Sequence, residues 1–362
     1  MIKVATFALA CFVAVSAGSV KLQTPTEELV MKQPATAPED QVYHHTRGSE
    51  FYHPKGHTKH EDYHSHLPQE YTEKHELPTN FNWGNINGRS MLTKPLNQHI
   101  PQYCGSCWAH GAMSSFADRI KIARDAKGSD INLAIQFILN CGTDVAGSCH
   151  GGSHTGAYNF VKNYAKHIPY DTCLQYEACS AESTEGTCKD RDFTCTGANT
   201  CRTCSTFTAY GGFCSEVDRY PNATIAEYGN VVGEYNMMAE IYRRGPIACG
   251  IDASPVDNYK GGIVDNTSAK SINHIISVVG WGVDKKTDTP YWIVRNSWGE
   301  YWGEMGYFRV KRGENQLAIE SSCAWATPGT WTEMNFPCYE DGSNCVSHKK
   351  YEDPSKKYHK DE

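Results

Sequence analysis

The chain has 362 residues, with 34 Lys and Arg against 41 Asp and Glu and a formal net charge of −7. This length can bury a sizeable core, and we expect two lobes with appendages. The mild acidity and the lack of a long basic patch argue against a nucleic-acid partner. No stretch reaches 18 consecutive apolar residues, so we expect no membrane anchor.

Four regions follow one another along the chain. Residues 1–17 have the pattern of a secretory signal peptide, with Lys3 before an apolar core and Val15-Ser16-Ala17 as a small-residue cleavage site. Residues 18–76 are polar, residues 77–331 carry the apolar periodicity of a folded domain, and residues 332–362 form a charged C-terminal extension. We interpret 18–76 as a propeptide.

The propeptide region is rich in histidine and has no helical stripe, so alone it should be extended or disordered. It holds eight of the 16 histidines: His44, His45, His53, His57, His60, His64, His66 and His75. They could act as an acid-triggered release switch or belong to a solvated linker. A metal-binding tract is the third alternative, against which the irregular spacing argues. We therefore expect no metal and no cofactor.

The folded region changes from helical to strand periodicity along its length, which indicates an α+β fold. Apolar residues at Trp108, Ala112, Phe116, Ile120 and Ala123 predict a buried amphipathic helix that begins at Cys107. Further helical segments are predicted at 131–141, 158–165 and 237–244, and strands at 247–251, 272–280, 291–295 and 306–311.

Cysteine content indicates an oxidising compartment, because a secreted chain with many cysteines forms disulfides. Removing Cys11 with the signal peptide leaves fifteen of the 16 cysteines. Setting Cys107 aside leaves fourteen, which could form seven bridges.

Candidate chemistry centres on Gln98-His99-Ile100-Pro101-Gln102-Tyr103-Cys104-Gly105-Ser106-Cys107-Trp108. A thiolate is favoured at a helix N-terminus beside an imidazolium, and Cys107 has that position. A redox or metal pair of Cys104 with Cys107 is the alternative, but it gives no role to two distant elements. These are His274 in an apolar strand, and Asn296 in Asn296-Ser297-Trp298-Gly299, which could orient the imidazole.

These motifs resemble those of papain-family cysteine proteases from about residue 77 to 331. The resemblance implies a papain-like two-lobe fold, with a helical lobe carrying the nucleophile helix, a β-barrel-like lobe and a cleft between them. It implies Cys107 as nucleophile, His274 as general acid and base, Asn296 as orienting residue and Gln98 as oxyanion donor. Gly151 and Gly152 would bind the substrate backbone, and peptides would be the substrates of a monomeric enzyme.

The insertion His99-Ile100-Pro101 narrows the resemblance to a lysosomal carboxypeptidase subfamily. Gln98 lies nine residues before Cys107, whereas ordinary papain-like enzymes have their oxyanion glutamine six residues before the nucleophile. The alternative is that the insertion is neutral and that Gln102 is the oxyanion donor. His99 and Tyr103 would bind the free C-terminal carboxylate of a peptide beside Trp298. The alternatives are an endopeptidase, a dipeptidyl-type peptidase, or a non-enzymatic disulfide-rich binding protein. The subfamily masks its nucleophile with a propeptide cysteine, which residues 18–76 lack.

The resemblance also implies five disulfides, and two more follow by elimination and short spacing. The first five are Cys104–Cys149, Cys141–Cys195, Cys173–Cys201, Cys204–Cys214 and Cys249–Cys323; the others are Cys179–Cys188 and Cys338–Cys345. Two sequons predict glycosylation at Asn222 and Asn266. Together with the signal peptide they predict a lysosomal or secreted protein.

Overall fold

Five α-helices lie in the part of the chain that our computed structural model describes, which comprises residues 48–205, 207, 212–333 and 338–340 and the backbone of 346–351. They are α1 (Pro68–Tyr71), α2 (Cys107–Ala123), α3 (Ile135–Cys141), α4 (His154–Asn159) and α5 (Glu234–Arg244). A π-helix (Phe160–Ala165) continues α4, and short 3-10 helices cover Lys74–Glu76, Gly186–Cys188, Ser254–Val256 and Gln316–Ala318. The predicted signal peptide lies outside the described residues.

The described strands form one large sheet, one small sheet and a short hairpin. They are β1 (Phe81–Asn82), β2 (Gly147–Ser148), β3 (Gly151–Gly152), β4 (Ile168–Pro169), β5 (Arg202–Cys204), β6 (Cys214–Val217), β7 (Asn222–Val231), β8 (Ile247–Ile251), β9 (Ile263–Val264), β10 (His274–Val283), β11 (Pro290–Arg295), β12 (Tyr307–Lys311), β13 (Cys323–Trp331) and β14 (Val346–Tyr351). The large sheet runs β4-β7-β13-β8-β10-β11-β12-β9, with β1 paired to β10. This order is an open path, so the sheet is not a closed barrel.

Two separate hydrophobic cores explain the two lobes. The first surrounds α2, α3 and α4 and includes Trp108, Met113, Phe116, Ile138 and Tyr158. The second lies against the sheet and α5 and includes Trp281, Trp292, Phe308, Val310 and Trp325. Helix α2, which begins at Cys107, packs on β10, so this helix and the sheet meet between the cores.

The sequence predicted the local elements well and missed two long strands. The helix at Cys107 is confirmed, and Trp108, Ala112, Phe116 and Ile120 are buried, although Ala123 is exposed. The predicted strand at 247–251 is confirmed, and the others are shifted by one to three residues. Strands β7 and β13, which pair with each other, were not predicted.

Residues 48–76 pack on the domain rather than extending away from it. Asp62 pairs with Tyr228 of β7, and the Tyr63 ring lies 5.5 Å from that of Trp325. Further along, the Arg243 guanidinium of α5 donates to Glu76 over 2.8 Å. The expectation of disorder concerned this segment in isolation from the domain. In the full chain, contacts with the domain supply the apolar surface that the segment lacks.

Six disulfides join described residues, and each is one of the expected pairs. They are Cys104–Cys149, Cys141–Cys195, Cys173–Cys201, Cys179–Cys188, Cys204–Cys214 and Cys249–Cys323. The seventh expected pair includes Cys345, which lies outside the described residues. Cys107 is buried and is not part of a disulfide.

Across the described parts of the chain, no helix is both long and apolar enough to cross a membrane.

Candidate active site

Helix α2 begins at Cys107 and places its thiol against the first residues of β10. The Ile275 backbone N–H donates to Cys107 Sγ over 3.4 Å. A side chain at Gly111, one turn into the helix, would come within 2.9 Å of Ile275 and 3.1 Å of a β10 carbonyl oxygen. The absence of a side chain at Gly111 therefore lets the helix approach the strand closely enough for Cys107 to reach His274.

His274 is fully buried at the start of β10 and is held by the residues that follow β11. Its Nε2 lies 2.8 Å from Asn296 Oδ1, which also accepts from the Ser297 backbone N–H over 2.8 Å. The Trp298 ring lies 4.8 Å from the imidazole and is itself buried. The Asn296 contact occupies Nε2, so the second ring nitrogen, Nδ1, faces the rest of the site.

Gln98 is buried beside this group. Its Nε2 donates to the Cys104 carbonyl over 3.0 Å, and its Oε1 accepts from Ser297 Oγ over 2.7 Å. Gln102 points elsewhere, since its side chain accepts from the Thr187 N–H over 2.7 Å. Gln98, and not Gln102, therefore lies beside the Asn296-Ser297 stretch.

A carboxylate from the preceding segment lies among these side chains. Glu50 is 3% exposed, and its Oε2 lies 3.2 Å from Gln98 Nε2 and 3.5 Å from His274 Nδ1. One Glu50 oxygen, Cys107 Sγ and one His274 ring nitrogen all lie within 4.8 Å of one another. The Tyr103 hydroxyl donates to the other oxygen, Oε1. Glu50 therefore lies beside the thiol and contacts a candidate oxyanion donor.

The backbone around Glu50 pairs with both sides of the site. Its N–H donates to the Asn273 carbonyl, and its carbonyl accepts from the Gly152 N–H, each over 3.0 Å. The Tyr52 N–H donates to the Gly152 carbonyl over 3.0 Å. Gly151, with φ +120, would place a side chain 2.9 Å from the Glu50 carbonyl oxygen, so an extended peptide can approach only a glycine here.

The insertion at 99–101 forms one wall of the site. The His99 ring stacks on Tyr103, with centroids 5.0 Å apart, and lies 6.3 Å from the Trp298 ring. A backbone bridge from Asn97 to Trp298 holds the base of the loop. All nine predicted catalytic and substrate-binding residues thus belong to one connected site.

Sequence analysis missed Glu50 and the network beneath the nucleophile. Tyr176 OH donates to the Gln98 carbonyl over 2.7 Å and lies 2.7 Å from Ser106 Oγ, while His110 Nδ1 lies 3.0 Å from the Ser106 carbonyl. A lone glutamate in a polar segment gives no local signal. The absence of a cysteine from residues 18–76 indicated only that control of the precursor differs from that of the subfamily.

Comparison with known proteins agrees with this geometry. The family model for papain family cysteine protease matches residues 77–327. The chain belongs to the papain family of cysteine proteases. This papain-family chain is 40% identical over 277 residues to a protein named cathepsin Z from Onchocerca volvulus, covering 73% of the chain and 84% of the relative. The insertion that begins at His99 indicated a resemblance to cathepsin X, which is also called cathepsin Z. The match to the Onchocerca volvulus protein confirms that resemblance.

Solved structures show the same fold. A digestive procathepsin L2 from Tenebrio molitor is 25% identical with a TM-score of 0.53, covering 69% of this chain and 68% of that one. The bromelain protease from Ananas comosus is 26% identical with a TM-score of 0.51, covering 69% of this chain and 99% of that one. The papain-like fold and the assignment as a cysteine peptidase therefore stand.

Proposed function

We propose that this papain-family protease is a cysteine carboxypeptidase that acts on peptides and proteins with a free C-terminus. The 40% identity to a protein named cathepsin Z supports the subfamily. The observation that carries the proposal is that two donors of the site hold a carboxylate. Tyr103 OH and Gln98 Nε2 both donate to Glu50, and the His99 ring stacks on Tyr103.

The proposed mechanism uses each member of the site in turn. Cys107 Sγ attacks the scissile carbonyl carbon, and His274 takes the thiol proton and gives it to the leaving amine. Gln98 Nε2 and the Cys107 backbone N–H stabilise the oxyanion. Water then hydrolyses the thioester, with His274 as base, while Asn296 keeps the imidazole oriented.

Specificity for a free C-terminus would come from the insertion. Protonated His99 and the Tyr103 hydroxyl can hold the terminal carboxylate by charge-assisted hydrogen bonds. The stiff loop and Trp298 limit the space beyond the leaving residue. An endopeptidase or dipeptidyl-type peptidase with the same catalytic residues is the alternative.

The test compares a free-acid peptide with its C-terminal amide, using the mature enzyme at pH 5 and mass spectrometry of the products. Loss of one charge-assisted contact is worth about 1.5–3 kcal/mol, or about 10- to 100-fold. His99→Ala should therefore lower the preference for the acid by that factor while keeping the chemistry at Cys107. Ile100→Ala, an exposed neighbour in the same loop, is the matched control. Equal cleavage of the acid and the amide by the unmodified enzyme would contradict the carboxypeptidase assignment and favour an endopeptidase.

The proposal includes synthesis as an inactive precursor through the secretory route. Residues 18–76 would be the propeptide, because residues 50–52 occupy the site and Glu50 covers the thiol. The six disulfides support passage through an oxidising compartment and a lysosomal or secreted destination. Glycosylation at Asn222 and Asn266 stays a prediction.

A further inference from the structure

A histidine cluster lies in the segment before the domain, away from the residues assigned to catalysis. His53, His57 and His60 each offer a ring nitrogen, and the three atoms lie within 4.8 Å of one another. Their ring centroids are 4.5–5.2 Å apart. His53 and His60 are exposed, whereas His57 is 8% exposed.

A fixed turn brings these histidines together. The His57 N–H donates to the Pro54 carbonyl over 2.9 Å, and the Gly56 N–H donates to the Asp144 carbonyl over 3.0 Å. A side chain at Gly56 would lie 2.4 Å from that Asp144 oxygen, so the turn is seated tightly on the domain. The spacing His53-x3-His57-x2-His60 looked irregular in the sequence because the turn, not a helix or strand, aligns the rings.

The surroundings suit a metal ligand set. His57 Nε2 lies 3.0 Å from Thr155 Oγ1, and in the tautomer that donates this hydrogen bond Nδ1 accepts a long hydrogen bond of 3.4 Å from Asn159 Nδ2, which a bound metal ion would displace. Such a hydrogen bond is the usual way in which a protein orients a ligating imidazole.

A fourth histidine lies beside the cluster. His154, the first residue of α4, is 2% exposed, and its buried Nδ1 has no hydrogen-bond partner among the described residues. Its ring lies 5.6 Å from that of Phe51, whose ring is in turn 5.4 Å from that of His53. Imidazoles of the segment and of α4 therefore lie close to one another where the two meet.

We propose that His53, His57 and His60 form a binding site for Zn²⁺ that pins residues 53–60 onto the papain-like domain. Zn–N bonds of about 2.0–2.1 Å in a tetrahedral site place ligand nitrogens about 3.4 Å apart, so the exposed rings of His53 and His60 would rotate inward. Water would complete the coordination. The nearby Lys59 ammonium lies 2.5 Å from Asp62, which balances its charge. The proposal departs from the expectation, made from the sequence, that the chain binds no metal.

Zinc binding itself does not depend on the proposed propeptide role, whereas any effect on activation does. The full chain carrying Cys107→Ser is the protein to test, because Glu50, Cys107 and His274 form a second possible ligand group. Titration calorimetry with ZnCl₂ after chelator treatment should give one site per chain. Because an outer-shell partner alone is worth 10- to 100-fold in metal affinity, the double variant His53→Ala/His60→Ala should weaken binding by about 100-fold or more.

His64→Ala/His66→Ala is the matched control, since both side chains are exposed histidines of the same segment, and it should bind zinc like the parent. Co²⁺ bound to the parent should give a visible spectrum without thiolate charge transfer. Zinc should also slow hydrogen exchange at residues 53–60 in the parent and not in the double variant. Equal zinc binding by the parent and the His53→Ala/His60→Ala variant, or none by the parent, would overturn the site. Unchanged exchange in the zinc-bound parent would overturn the pinning.

Discussion

At the scale of single residues, the site is controlled by which group contacts the two nitrogens of His274 and the thiol of Cys107. Asn296 contacts Nε2 and Glu50 lies on the Nδ1 side. One contact therefore holds the imidazole, while the other places a carboxylate beside Cys107. Separate substitutions can distinguish these two effects.

The first prediction at this scale concerns Glu50. In the full chain, Glu50→Ala should expose Cys107 to a thiol-directed epoxide and raise its rate of modification by about 10- to 100-fold, since each charge-assisted contact is worth about 1.5–3 kcal/mol. Glu50→Gln should give an intermediate rate because an amide still hydrogen-bonds. The exposed Glu61→Ala is the control in the same segment. A rate equal to that of the parent would show that Glu50 does not protect the thiol.

The second prediction concerns Asn296. Asn296→Ala removes the acceptor for His274 Nε2 and should lower kcat/KM by about 10- to 100-fold, again from a contact of about 1.5–3 kcal/mol. Activity should stay measurable because Asn296 orients and does not react. Cys107→Ser and His274→Ala should abolish turnover and set the baseline for the same peptide assay. Activity of Asn296→Ala at that baseline would assign it a larger role.

At the scale of elements, a buried ion pair ties the nucleophile helix to the strand before Asn296. Arg295 Nη2 of β11 lies 2.5 Å from Asp118 Oδ2 of α2, and both side chains are buried. Asp118 Oδ1 also accepts from the Thr93 N–H over 2.7 Å. The pair therefore sets the spacing between the elements that carry Cys107 and Asn296.

The prediction at this scale is that breaking the pair costs more than removing it. Asp118→Ala leaves the Arg295 charge buried and should lower the free energy of unfolding by about 3–5 kcal/mol. Replacing both partners, as in Asp118→Leu/Arg295→Met, should cost less because no uncompensated charge remains. Urea denaturation of both variants in the Cys107→Ser background measures this. A double variant less stable than Asp118→Ala would contradict the argument.

At the scale of the whole molecule, buried neutral histidines make stability depend on pH. Burial lowers the pKa of His110, beneath the nucleophile, to about 4. Above its unfolded pKa of about 6.5 the ring is neutral in both states and has no effect. As the pH falls from about 6.5 toward 4, the unfolded chain binds a proton that the folded protein does not bind. The free energy of unfolding therefore decreases. His154 acts in the same direction.

The corresponding prediction compares urea unfolding at pH 7 and pH 4.5 in the Cys107→Ser background. Two pH units below the unfolded pKa correspond to about 3 kcal/mol per such histidine. His110→Gln removes the titrating group, so its loss of stability on acidification should be smaller by about that amount. An identical pH dependence in the two proteins would mean that His110 is protonated in the folded state.

The amino-acid sequence alone determined the elements and motifs whose signals are local. The four-residue spacing after Cys107 predicted α2, and the apolar run around His274 predicted β10, because burial of one face or of both imposes a pattern on neighbouring residues. Motif resemblance pointed to Cys107, His274 and the insertion at His99 as the site.

Only the tertiary structure decided the contacts between residues far apart in the chain. Glu50 reaches Gln98 across 48 residues, Asp118 reaches Arg295 across 177, and β7 pairs with the distant strand β13. The sequence around a carboxylate in a polar segment does not identify the residue that the carboxylate contacts. The same holds for a strand such as β7, whose sequence does not identify the strand with which it pairs. The position of such a residue or strand depends on which surfaces pack together when the two cores form. The local sequence does not determine that packing.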